Sequence, residues 1–138
     1  MYVEVKINNE EIVLSGDNPD KKGITEIEFI FDSPDDIKEK NFNNIIGLKL
    51  KGIINLETKD EILKLAQWAT TTESSKIYRD VNICIYSGDI NSDTLREIIL
   101  TAAFVVDYNE KFTVAEETPE YDLTLRQKFD KKSEIRIY

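Results

Sequence analysis

Three residues, Asp89, Asn91 and Asp93, have the spacing with which the oxygen ligands of an EF-hand calcium loop begin. Such a loop needs a glycine at its sixth position for a sharp turn and a glutamate at its twelfth position to ligate the ion. This chain has Thr94 and Leu100 at those positions. A polar turn between two strands, rich in Asp, Asn and Ser, explains the segment better, so we expect no metal site.

Paired carboxylates could serve as general acid and base in a glycosidase-type reaction, or they could hold magnesium. Such chemistry needs two carboxyl groups at a defined separation, with one in an apolar pocket that raises its pKa. The candidate acids lie instead in polar segments without hydrophobic periodicity: Asp17, Asp20, Asp35, Asp36, Glu116 and Glu117. We interpret them as solvated surface carboxylates. A carboxylate-dependent hydrolase is therefore the weakest of the functions that the sequence suggests.

The sequence contains no histidine, and Cys84 is its only cysteine. The chain therefore cannot form an intrachain disulfide or a cysteine-rich zinc site, and it lacks the base of the Ser-His-Asp and Cys-His triads. Cys84 lies in a predicted strand between two isoleucines, with no histidine to activate its thiol. There is no glycine-rich phosphate loop. We expect no enzymatic activity, no catalytic residues and no cofactor.

Charge excludes a further class of function. The 27 acidic and 18 basic residues give a formal net charge of −9, and such a surface repels the phosphate backbone of nucleic acids. We therefore expect no nucleic-acid sequence recognition.

The chain opens without an apolar leader and has no long apolar run, so we expect cytoplasmic synthesis without a signal peptide and no membrane insertion.

One segment has the opposite charge. Five basic residues make the C-terminal stretch locally positive: Arg126, Lys128, Lys131, Lys132 and Arg136. No recognition helix and no interleaved row of aromatic residues accompanies them, as a nucleic-acid site would require. The stretch is predicted to bind an acidic protein surface.

The elements that must position these residues are mostly strands. With 138 residues, 41% of them hydrophobic, the chain has the size of a single domain, residues 1–138. Alternation of polar and apolar residues, or continuous β-type composition, predicts strands within residues 2–7, 12–14, 24–31, 45–56, 81–86, 121–129 and 135–137. One helix among about seven strands predicts a β-rich α+β domain, as a barrel or a sandwich.

The one clear helix is predicted at residues 58–72. Thr58 and Glu61 have the spacing of a capping box. An apolar stripe follows at helical spacing and should face the sheet, with Trp68 near its edge. The stripe consists of Ile62, Leu65, Ala66 and Ala69.

The segment from Leu95 to Tyr108 allows two interpretations. Residues 95–100 could form a helix, whereas residues 104–108 are typical of a strand. We favour one long strand with a bulge near Ala102 and Ala103.

The order of these elements resembles that of the tube-protein superfamily, which is shared by contractile phage tails, phage-tail-like bacteriocins and the haemolysin-coregulated protein of type VI secretion. The resemblance rests on a long acidic loop (residues 32–44), the helix at 58–72, a strand ending at Ser87 and Gly88, and the strands through 104–106 and 121–129. It implies a barrel of two roughly orthogonal antiparallel sheets with one flanking α-helix. It also implies hexameric rings that stack into a tube around a water-filled lumen.

The same resemblance implies that residues 32–44 form an arm that packs on a neighbouring subunit. We predict that this arm meets the basic stretch of another copy. The predicted interface residues are Asp35, Asp36, Ile37, Phe42, Arg126, Lys128, Lys131 and Arg136. Sheath, baseplate or cargo proteins are the further partners implied, and a phage, a bacteriocin or a secretion machine fits equally.

A second function remains open at this point. A monomeric acidic inhibitor of the immunity type could mask a basic enzyme surface, and a net charge of −9 would steer its association with that surface. The oligomeric state distinguishes the two functions, because the inhibitor acts as a monomer and the tube subunit as a ring.

Overall fold

The computed structural model describes residues 1–17, 23–32, 45–128 and 135–138. Its strands are β1 (Tyr2–Ile7), β2 (Ile12–Asp17), β3 (Glu26–Asp32), β4 (Ile45–Ile53), β5 (Arg79–Tyr86), β6 (Thr94–Lys111), β7 (Glu120–Gln127) and β8 (Arg136–Ile137). Its helices are α1 (Lys59–Thr70) and the short α2 (Ser74–Ile77). Within these ranges, neither helix has the length and apolar character needed to cross a membrane.

All eight strands belong to one antiparallel sheet with the order β2-β1-β5-β6-β7-β4-β3, and β8 also pairs with β6. The β-rich fold with a flanking helix is thus confirmed. In place of two separate sheets, one continuous sheet bends round on itself. The barrel is not closed, because β2 and β3 do not pair with each other.

The two ends of the sheet meet at one corner. Ser15 of β2 forms an isolated bridge with Gly23, and the Ile24 amide donates to the Ser15 carbonyl at 2.9 Å. The Ile53 amide of β4 donates to the Gly23 carbonyl at 3.1 Å. A side chain at Gly52 would overlap the Gly23 carbonyl and the ring of Tyr121, so only glycine fits at this corner.

The long strand predicted through residues 95–108 is confirmed as β6, which has 18 residues. Its first half pairs with β5 and its second half with β7. Ala102 has a φ of 57°, as expected at a bulge, and its amide donates to Asp80 Oδ1 at 3.0 Å. Residues 95–100, which could have formed a helix, belong to this strand. Their burial alternates as in a strand, because Ile98 and Leu100 are buried while Leu95 is exposed.

Helix α1 packs on the sheet through Ile62, Leu65 and Trp68. The prediction placed Trp68 at the edge of this stripe. Instead Trp68 is buried, with its Nε1 donating to the Ile77 carbonyl at 2.9 Å, while Ala66 and Ala69 are only half-buried. The large indole reaches further into the core than two alanines can, so it takes the central place.

The predicted capping box does not form. Thr58 precedes the helix in a helical conformation, and its hydroxyl accepts from the Asn55 amide at 2.9 Å and donates to the Ile53 carbonyl. The carboxylate of Glu61 is engaged elsewhere, because Oε2 accepts from the Val13 amide of β2 at 2.8 Å. A tertiary hydrogen bond has thus replaced the local one.

Candidate subunit interface

Arg126 and Lys128, at the end of β7, lie beside a pair of aromatic rings on the outside of the sheet. Arg126 is directly opposite Phe104 in the pairing of β7 with β6. The rings of Phe104 and Tyr78 contact each other edge to face, with their centroids 5.8 Å apart. Lys128 Nζ lies 4.9 Å from the centroid of the Tyr78 ring. We call Tyr78, Phe104, Arg126 and Lys128 the basic–aromatic patch.

Strand alternation puts this patch on the surface. In β7, Leu125 and Gln127 point inward and are buried, so Arg126 between them points outward and is exposed. The Lys128 amide donates to the Ala102 carbonyl at 2.9 Å, which holds this residue beside the bulge of β6. Tyr78 comes close to Phe104 because the residue that follows Tyr78, Arg79, begins β5 and pairs with Ala103, which precedes Phe104.

The chemistry of the patch suits an acidic protein segment. Two cations attract carboxylates, and the lysine is oriented by a cation–π contact. Tyrosine, phenylalanine and arginine are also residue types that contribute strongly at protein interfaces. On a chain with a net charge of −9, the patch is a locally positive region of the surface.

The structure brings together two of the predicted interface residues. Arg126 lies opposite Phe104 and Lys128 lies over the ring of Tyr78, and the sequence analysis singled out neither aromatic residue as part of the interface. Arg136 lies on β8, opposite Ile99 and further along β6. The other predicted interface residues lie outside the described part of the chain: Asp35, Asp36, Ile37, Phe42 and Lys131.

The two edge strands of the sheet are also candidates for contact with another molecule. The β2 edge is covered, since Glu61 binds the Val13 amide and Lys64 Nζ donates to the Glu11 carbonyl at 3.2 Å. The β3 edge is open as far as the described residues show, because β3 pairs only with β4. Phe31, near the end of this edge, is 51% exposed.

Exposed apolar side chains lie at both ends of the sheet. Phe112 and Val114 lie in the turn between β6 and β7, and Leu56 follows β4 at the same end, where the Ile54 amide donates to the Pro119 carbonyl at 2.9 Å. Ile90 and Tyr138 are exposed at the opposite end. Apolar groups at opposite ends suit contacts between copies arranged head to tail.

The segment with calcium-loop spacing forms a turn, as predicted. Asp89 Oδ1 accepts from the Asn91 amide at 2.9 Å, and the Ser92 amide donates to the Asp89 carbonyl at 3.0 Å. These local hydrogen bonds are those of a polar turn closed by an aspartate side chain. Across the ranges that the structure describes, no group of three His, Cys, Asp or Glu side chains could hold a metal ion.

Cys84 is half-buried on the outer face of β5. Burial, together with the nearby charge of Glu97, raises the pKa of its thiol. A raised pKa means less thiolate at neutral pH, so this cysteine is a poor nucleophile.

The sequence matches no family model and no curated protein. Solved structures do match. Hcp1 from Flavobacterium johnsoniae has a TM-score of 0.61 over 92% of this chain and 90% of that chain, at 14% identity. A chain from the sheath–tube complex of PVC, an extracellular contractile injection system, has a TM-score of 0.56 over 99% and 87% of the two chains, at 11% identity.

A third match is a chain from the tube-terminating cap of the anti-feeding prophage, with a TM-score of 0.56 over 99% and 87% of the two chains, at 12% identity. These matches confirm the β-rich fold that the resemblance implied. The chain has the fold of the Hcp-like tube proteins.

Proposed function

We propose that this chain is a structural subunit of the inner tube of a contractile, phage-tail-like or type VI-like injection machine. Copies of the chain form hexameric rings, and the rings stack into a tube. The observation that carries the proposal is the fold match along nearly the whole of both chains, including a chain of a sheath–tube complex. The role is structural, and the chain itself catalyses no reaction.

The two sheet edges support assembly in one direction. A ring of identical subunits uses a head-to-tail contact, so two different patches of one chain must be complementary. Here one edge strand is covered by the chain's own helix and the other is open among the described residues. An open strand edge gives a monomer no stability and exposes it to aggregation.

The contact between copies involves the basic–aromatic patch. In this proposal, Asp35 and Asp36 of one copy approach Arg126 and Lys128 of the next, with Lys131 and Arg136 extending the basic region. Each exposed ion pair contributes only about 0–1 kcal/mol. The apolar contacts of Ile37 and Phe42 with the two rings of the patch therefore supply most of the stabilisation.

The charged outer face of β3, β4 and the first part of β7 suits a wet lumen. Glu28 on β3 lies opposite Lys49 on β4, and Lys51 lies next to Asp122 on β7 with 3.9 Å between Nζ and Oδ1. Opposite charges alternate across this face, so it stays hydrated without strong attraction for one sign of charge. Cargo would pass this face, whereas sheath and baseplate proteins would contact the outside of the tube.

Light scattering at several concentrations, followed by negative-stain microscopy, tests the assembly. The expected result is a concentration-dependent rise from a 16.0 kDa monomer to a hexamer, with rings or tubes in the images. A monomer at every concentration would overturn the tube function and would favour the acidic inhibitor.

A charge exchange tests the contact itself. One variant carries Arg126→Glu and Lys128→Glu, and a second carries Asp35→Lys and Asp36→Lys. Each alone should lower ring formation about tenfold or more, because like charges then face each other. Mixing the two should restore rings, since unlike copies can alternate with complementary charges at every contact. Lys59→Glu, an exposed change of the same sign on α1, is the control and should assemble normally.

A further inference from the structure

The last four residues of the chain cover part of one edge of β6. Ile137 pairs with Ile98 and Arg136 with Ile99. The pairing continues to the terminus, where Glu97 and Tyr138 exchange two backbone hydrogen bonds of 3.0 and 2.8 Å. The terminal strand therefore satisfies backbone groups of β6 that would otherwise be open.

Residues 135–138 make few side-chain contacts with the core. Ile137 is 47% exposed and Tyr138 65% exposed, and only Ile135 packs against the core. The strand beneath it is firmly fixed, since Ile98 is 2% and Leu100 0% exposed. The acceptor edge thus belongs to the core, whereas the segment that covers it contributes little to the core.

The connection to this segment is longer than its position requires. Lys128 lies opposite Ala102, and Arg136 lies opposite Ile99. Along β6 these two acceptor positions are three residues apart, or about 10 Å. Seven residues lie between Lys128 and Arg136, and the eight Cα-to-Cα steps of this chain could span up to about 27 Å. The segment can therefore reach well beyond its own β6.

We propose that, in the assembled ring, residues 135–138 of one copy pair with β6 of the next copy in this same register. The inference rests on the proposed tube function and adds to it a strand exchange between subunits. Because the sequences are identical, the exchanged strand makes the same hydrogen bonds and the same contact of Ile135. Each copy gives one strand and receives one, which matches a head-to-tail ring.

A disulfide across the pairing tests the exchange. The variant carries Ile99→Cys and Arg136→Cys, together with Cys84→Ser so that no other thiol competes. Residues directly opposite each other on antiparallel strands have the Cα separation that a disulfide needs. Glu97→Cys with Tyr138→Cys, in the same background, is the alternative pair if thermal unfolding shows that the first variant is not folded. The control pair is Lys6→Cys with Asn82→Cys, which lies opposite across β1 and β5.

Rings are isolated, oxidised and run on a non-reducing denaturing gel. The expected result is that more than half of the chains shift from the monomer band to a ladder of linked chains. The control pair should stay in the monomer band. If rings form but the introduced disulfide links β6 and β8 only within each chain, the strand exchange is overturned and the tube function still stands. Chains that are linked internally and stay monomeric at every concentration would overturn both.

Discussion

The β2 and β3 edges of the sheet differ in what lies beside them. Beside β2, the Glu61 carboxylate binds the Val13 amide, and the Ile24 amide binds the Ser15 carbonyl. Beside β3, no described residue forms a hydrogen bond on the side away from β4. The helix that packs on the core therefore also protects one edge, and nothing in the described part of the chain does so for the other.

Because of this difference, the two edges of the sheet cannot make the same contact with a neighbouring molecule. A protein with two open edges could add strands at both sides and would aggregate without limit. A protein with one covered edge presents different surfaces to its two neighbours, as a head-to-tail ring requires. We expect the covered edge to matter mainly for stability and the open edge mainly for association.

The largest effect on stability is expected when a buried contact between α1 and the core is removed. Leu65 is fully buried in α1, so Leu65→Ala should lower the free energy of unfolding by about 2–5 kcal/mol. Leu63→Ala on the same helix is the matched control, because Leu63 is 55% exposed, and it should change stability by less than about 0.5 kcal/mol. Urea denaturation measures both, and an unchanged midpoint for Leu65→Ala would contradict the packing of α1.

The open edge should matter for association and little for stability. Phe31→Lys places a charge at the β3 edge, where Phe31 is 51% exposed, and should raise the concentration needed for rings about tenfold or more. Leu63→Lys also replaces an apolar side chain of similar exposure with a charge, on the helix that covers the other edge, and rings should form as in the unaltered chain. Analytical ultracentrifugation compares the two. Equal losses of assembly in both variants would show that the edges are not distinguished.

The hydrogen bond that covers β2 should have a smaller effect. Glu61→Ala leaves the Val13 amide without its acceptor and should lower the free energy of unfolding by about 1–2 kcal/mol. Glu61→Gln retains an oxygen acceptor and should lose less. Glu57→Ala, an exposed acid just before the helix, is the control. If Glu57→Ala and Glu61→Ala were equally stable in urea, the carboxylate would not protect the edge.

The smallest effect at neutral pH is expected at the corner where the two ends of the sheet meet. The Tyr121 hydroxyl is buried there, and none of the described residues is its hydrogen-bond partner. Tyr121→Phe should leave stability unchanged or raise it by up to about 1 kcal/mol, because an unpaired buried hydroxyl is costly. Tyr108→Phe is the contrasting variant, since it loses a 2.6 Å hydrogen bond to Glu110 and should be less stable.

The same residue should give a dependence on alkaline pH. Burial raises the pKa of Tyr121 above its usual value of about 10, whereas the unfolded chain ionises near that value. Its contribution to stability is therefore complete below pH 10 and falls above it, by up to about 1.4 kcal/mol per pH unit. Tyr121→Phe should lose less stability between pH 10 and 11 than the unaltered chain. Parallel losses in the two proteins would contradict this origin.

Most of the fold could be predicted because strand alternation is a local signal. Each segment with that pattern contains a strand, and even the mixed pattern of residues 95–108 resolved as one bulged strand. The capping box failed because the competing partner of Glu61 is Val13, 48 residues away in the chain. No local pattern reports such a partner.

The surroundings of the proposed interface residues were predictable only in part for the same reason. The charge of Arg126 and Lys128 is visible in the sequence. Their position beside Phe104 and Tyr78 depends on the register of three strands and on the bulge at Ala102. A shift of one residue would turn these side chains to the other face of the sheet.

The length of β6 has a mechanical consequence. Its 18 residues have a contour length of about 60 Å, along which it pairs with β5, β7 and β8. A load applied along the strand is shared among many backbone hydrogen bonds strained in parallel, and they must fail together. A load across the strand would instead break them one after another. The subunit should therefore resist force best along β6, so in the proposed tube the orientation of this strand to the direction of thrust would affect mechanical strength.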